Sequence, residues 1–142
     1  MRIPGKESVG ELLMHEEIKE KALREYSPVL LAYVGDAVFE LAVRTRLAIQ
    51  GKRRLKDLHL DAVATVRAES QAQVLRQILD QLSEEEQDIV RRGRNSRSTP
   101  PRHAGVHDYR MSTGFEALLG YTYLKGDEPR LQELLQLALG DM

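Results

Sequence analysis

Cysteine is absent from this chain of 142 residues, which excludes a disulfide framework and any thiolate metal site and suits a reducing compartment. No apolar run reaches membrane-spanning length without a charge inside it. The opening stretch, MRIPGKESVGELL, lacks the long apolar core of a secretory signal. There is also no excess of one charge: the net value is −1, so the chain as a whole is not a basic nucleic-acid binder. These absences lead to the expectation of a cytoplasmic protein with no membrane association. The length is that of one ordinary domain, 1–142, large enough to bury a sizeable core.

The charge that is present is uneven. Residues 83–88 read SEEEQD, and residues 91–102 read RRGRNSRSTPPR, with five arginines and no acid. A polyanion would be met locally, by that second block.

The pattern along the chain is all-α. Residues 1–10 are expected to be loose, and 11–25 are weakly amphipathic. Ser27-Pro28 is a helix start, with Ser as N-cap and Pro at the first helical position, and Gly51 is the matching stop. The helix between them is apolar nearly all round from Val29 to Val43, which predicts the central buried helix. Asp57 begins a short helical segment, and a longer helix continues to about Leu82. Ser83 and Glu86 match a capping box for a helix ending near Gly93. Residues 94–107 form the longest irregular stretch, 109–125 a second buried helix stopped by Gly126, and Asp127 caps a final helix. Tyr33, Tyr121 and Tyr123 are expected in the core with their hydroxyls at its edge.

Two runs carry the chemistry, LAYVGDAVFEL at 31–41 and STGFEALLGYTYL at 112–124. Each has a carboxylate, Asp36 or Glu116, well inside an apolar helix, where an unpartnered charge is costly and an N-cap role is impossible. Two such acids suggest a shared hard cation, Mg²⁺ or Mn²⁺, held by oxygen alone. The alternative is structural: Asp36, Glu40 and Glu116 would pair with Arg44, His59 or Arg67 to hold helices in register.

These runs resemble the two acidic helices of ribonuclease III nuclease domains, in the same order and at a fitting separation. DLH at 57–59, RGRN at 92–95, TP at 99–100 and FEALLGY at 115–121 resemble the mini-ribonuclease III branch in particular, and the likeness covers about residues 27–139. The resemblance implies an all-helical ribonuclease III-like fold and a symmetric homodimer. It implies a nuclease that uses a divalent cation to hydrolyse double-stranded RNA, leaving 5′-phosphate and 3′-hydroxyl ends. It assigns Asp36 and Glu116 as catalytic metal ligands. The branch is similar to enzymes that trim large-subunit ribosomal RNA precursors, and it lacks a C-terminal double-stranded-RNA-binding domain; with its last residue at Met142, this chain fits that expectation.

The wider family places a second acid on each helix, at the positions of Ala32 and Thr113 here, on the same helix face as the remaining acid. Branch members look similar at both positions. Two carboxylates suffice for one Mg²⁺, which keeps several of its waters. Glu40, one turn after Asp36, and Thr113 are candidates to support the ion from behind its direct ligands.

Arg91, Arg92, Arg94, Asn95, Arg97 and Arg102 are candidate RNA contacts, since arginine grips phosphate well. The competing reading is a solvated helix end, because cations also suit a helix C-terminus. The basic turn at 51–54 is a second candidate. His103 and His107 are spaced like a zinc-protease pair, but Ala104 stands where the glutamate is needed, so hydrogen bonding or RNA contact is expected instead. Two functions compete at this level: a metal-dependent endoribonuclease, and a catalytically silent ribonuclease III-like module that binds RNA or ribosomal particles.

Overall fold

A computed structural model describes residues 18–51, 54–96 and 105–140. Among these residues there are seven helices, a single 3-10 turn and no strand: α1 (Glu20–Leu23), α2 (Pro28–Ile49), α3 (Leu55–Val66), α4 (Ala68–Ile78), the 3-10 turn Leu79–Gln81, α5 (Glu84–Arg94), α6 (Val106–Leu124) and α7 (Glu128–Leu139). The all-α expectation holds.

Local chemistry explains most boundaries. The Ser27 hydroxyl accepts from the Leu30 N–H at 3.0 Å, and Pro28 opens α2. Gly51 follows that helix at φ 128° and Gly126 follows α6 at φ 78°, a region open to glycine but strained for other residues. Ser83 and Glu86 form the full capping box at the start of α5. Asp127 accepts from the Arg130 N–H at 3.2 Å to cap α7. Arg130 also grips Glu86 through two bonds of 2.7 and 2.8 Å, tying α7 to the start of α5. The short segment from Asp57 is α3 and the longer helix after it is α4, separated at Arg67, which is extended (ψ 154°); α4 ends at Ile78, and a 3-10 turn replaces the helix expected to run on to Leu82.

The central helix is α6, not α2. From Met111 to Thr122 only Glu116 escapes full burial. By contrast α2 buries one stripe (Leu31, Ala32, Gly35, Phe39, Val43, Leu47) and leaves Val29, Leu30, Tyr33 and Leu41 exposed. Continuous apolarity in α2 thus reflects two apolar faces, of which the folded chain covers one. Tyr33 is accordingly 77% exposed, against the expectation of a core position, whereas Tyr121 is buried with its hydroxyl on Glu85 and Tyr123 is half-buried.

The centre of the core is an edge-to-face pair of the chain's two phenylalanines, Phe39 of α2 and Phe115 of α6, with centroids 5.3 Å apart. Around it α6 is held at backbone distance on two sides. A Cβ on Gly35 would overlap the Glu116 carbonyl oxygen, and one on Gly120 would overlap the Leu31 carbonyl oxygen. On the other side a Cβ on Gly93 of α5 would stand 2.8 Å from the Gly114 Cα. No helix among the described residues is long and apolar enough to cross a membrane.

Candidate active site

Asp36 and Glu116 meet because α2 and α6 touch at glycine. Gly35 packs on the backbone of Glu116, so the next side chain on α2, Asp36, falls beside the Glu116 side chain. The Asp36 carboxylate is exposed and Glu116 is half-buried. Burial, and then the hydrogen bond and charge of Asp36, push the Glu116 carboxyl from its ordinary 4.5 up to about 9. The amide of Gln71, facing the same carboxylate from α4, works in the opposite direction.

The ion pairs that the structural alternative calls for do not form at these two acids among the described residues. Arg44 is taken by Glu40 at 2.7 Å and Arg67 by Glu69 at 3.0 Å. Among the described residues neither Asp36 nor Glu116 has an ion pair. Two opposed carboxylates in a half-buried place repel each other, and a cation between them removes that cost. Their all-oxygen chemistry fits a hard divalent ion. No group of three or more metal-capable side chains occurs among the described residues, so the arrangement is a two-carboxylate one.

The other candidates separate. Glu40 lies on α2 one turn beyond Asp36 but is bonded to Arg44. Thr113 is buried, and its hydroxyl donates to the Tyr109 carbonyl of its own helix at 3.0 Å. Ala32 is buried too, so both positions where the wider family carries extra acids are closed to solvent.

In the arginine block, Arg91 pairs with Asp88, and Arg92 donates to the Tyr26 carbonyl at 3.2 Å. Arg94, half-buried beside Gly114, has no ion pair among the described residues, and Asn95 is exposed at the end of α5. Arg97, Arg102, His103 and the basic-turn residues 52–53 lie outside the described residues. His107 is exposed in the first turn of α6.

A sequence model of the Ribonuclease III domain matches residues 30–127 of this chain. The chain belongs to the ribonuclease III family. That is a family of nucleases acting on RNA, and the match spans both acidic helices. Within it, a Thermoanaerobacter protein named Mini-ribonuclease 3 is 44% identical, over 94% of this chain and 95% of its own length. A Synechocystis protein of the same name is 50% identical over 82% and 80%. The chain is also similar to a crystal structure of a Fusobacterium nucleatum protein, with a TM-score of 0.76 and 30% identity over 86% of this chain and 97% of that one.

Two features escape a reading by motif. The interlocked glycines Gly35 and Gly120 are what set the separation of the acids. Gln71 is buried beside Glu116 on the α4 stripe that continues through Leu75 and Ile78. A polar residue on an apolar stripe is the one signal that marks it in sequence.

Proposed function

We propose that this protein is a divalent-metal-dependent endoribonuclease that cuts double-stranded RNA to 5′-phosphate and 3′-hydroxyl ends. The observation that carries the reading is the meeting of Asp36 and Glu116 without a cationic partner, in a chain of the ribonuclease III family. Asp36 and Glu116 would hold the ion, Mg²⁺ or alternatively Mn²⁺. When bound, such an ion supplies an activated water and neutralises charge on the phosphate. The carboxylates would hold it where α2 and α6 cross, on the side where Asp36 is exposed. Arg94, without an ion pair, and Asn95 are the described members of the arginine block best placed to take up phosphate, with Arg97 and Arg102 beyond them. Arg91 and Arg92 would have to leave their present partners to join them.

The protein would work as a homodimer in the cytoplasm, one site per protomer, since a two-fold axis matches the pseudo-symmetry of a duplex and a lone site cuts one strand. The uncovered apolar face of α2, with Val29, Leu30, Tyr33 and Leu41, supports the subunit contact. The branch resemblance favours precursor large-subunit ribosomal RNA as the substrate. The second reading, a silent RNA-binding module, draws on Ala32 and Thr113 standing where acids are expected.

Purified protein incubated with a long RNA duplex should cleave it with Mg²⁺ and not with EDTA. Asp36→Asn keeps shape but loses the ligand charge, and should lose most cleavage while its circular dichroism stays wild-type. Wild-type-like cleavage by that variant would exclude the assigned role, and no cleavage by the wild type would favour the silent module.

A further inference from the structure

Gln71 is 2% exposed, a polar side chain in the interior of the α4 stripe. Its Nε2 donates to the Val66 carbonyl at 2.6 Å. The same amide faces the Glu116 carboxylate and favours its charged form. Its Oε1 is buried and has no hydrogen-bond partner among the described residues.

The orientation of the amide is not arbitrary. Turning it over would set Oε1 against the Val66 carbonyl and the Glu116 carboxylate, replacing two attractions by two repulsions. The bond to Val66 anchors Gln71 to the last turn of α3, whose carbonyls lack helical partners because Arg67 breaks the rod. Ser70 serves the Ala64 carbonyl at 2.8 Å and already closes the same helix end. A plain C-cap would require neither the reach to Glu116 nor a buried, unpaired acceptor, which costs about 1–3 kcal/mol.

We propose that Gln71 is a positioning residue for the metal site: it fixes the Glu116 carboxylate toward Asp36, and its Oε1 accepts from a water of the bound ion. This rests on the reading of Asp36 and Glu116 as ligands. Oε1 belongs to the same amide that faces the Glu116 carboxylate, and it is the acceptor left without a partner among the described residues. Supporting hydrogen bonds of this kind orient carboxylate ligands, and their loss weakens metal binding by about 10- to 100-fold. With Ala32 and Thr113 unable to contribute carboxylates, a site of two acids depends more on how firmly each is held.

The test is Mn²⁺ binding to the full chain, followed by calorimetry without RNA, for wild type, Gln71→Leu, Gln71→Met and Asp36→Asn. Thermal melting of the metal-free proteins is measured alongside. Gln71→Leu and Gln71→Met should fold and bind Mn²⁺ at least about tenfold more weakly. The Mn²⁺ concentration for half-maximal cleavage should rise by a similar factor, with turnover at saturating Mn²⁺ nearer to wild type. A folded variant that binds Mn²⁺ as the wild type does would overturn the proposal. So would the unfolding of both variants, which would make Gln71 a cap of α3 and nothing more. Asp36→Asn separates the two levels. If it binds Mn²⁺ like the wild type, the ligand reading itself is wrong. If it loses Mn²⁺ while both Gln71 variants keep it, only the positioning role falls.

Discussion

Replacing Glu116 by glutamine should stabilise the metal-free protein while abolishing its metal site. Below pH 4.5 the Glu116 carboxyl is protonated in folded and unfolded chains alike, and stability does not depend on it. As pH rises past that value the unfolded chain ionises, whereas the folded one resists until about 9, because burial and Asp36 both oppose the charge. The group therefore removes stability progressively through that window. At pH 7 the interval above 4.5, at about 1.4 kcal/mol per pH unit, sets an upper bound of about 3.5 kcal/mol. Glu116→Gln has no such titration. For a chain of this size its melting temperature should exceed the wild type's by on the order of 5–10 °C at pH 8 and by much less at pH 5. The assay is thermal melting in EDTA from pH 5 to pH 8 at fixed protein concentration. Adding Mn²⁺ at pH 8 should raise the wild type, since a ligand of the folded state stabilises by mass action, and leave the variant unmoved. Parallel wild-type and variant curves across that range, or a variant less stable at pH 8, would refute the electrostatic argument.

Two further outcomes test the surfaces. Tyr33→Arg places a charge in the uncovered apolar face of α2 and should convert a dimer to a monomer in sedimentation equilibrium at micromolar concentration, with helical content unchanged. Arg94→Gln should weaken duplex RNA binding about equally for unrelated sequences. It should also flatten the slope of log affinity against log salt by about one, as expected for a phosphate contact.

Much of the fold is legible in sequence because its signals are local. Ser27-Pro28, the Ser83–Glu86 capping box, Asp127 and the glycines at 51 and 126 act on backbone groups a few residues away, and each works as its pattern implies. Apolar period is also local, but it reports only that a face avoids water, not what covers it. That is why the pattern points to α2 at the centre, although its second face is uncovered, and to Tyr33 in the core. The short segment from Asp57 ends at Val66 with no glycine or proline to mark it; side-chain bonds from Ser70 and Gln71 stabilise that end of α3 from the next helix.

The helical class, most helix boundaries, membership of the ribonuclease III family and the two acids on which the functional reading turns are all legible along the chain. All of these rest on residue types and short spacings. Only the tertiary structure decided that Asp36 and Glu116 meet, because their encounter depends on Gly35 and Gly120 letting two backbones touch across 85 residues of chain, a contact between distant segments that periodicity does not encode. It likewise decided that Glu116 is half-buried against another carboxylate, and that Gln71 stands behind it. A side chain's solvation and charge environment come from neighbours brought in by packing, not from neighbours along the chain.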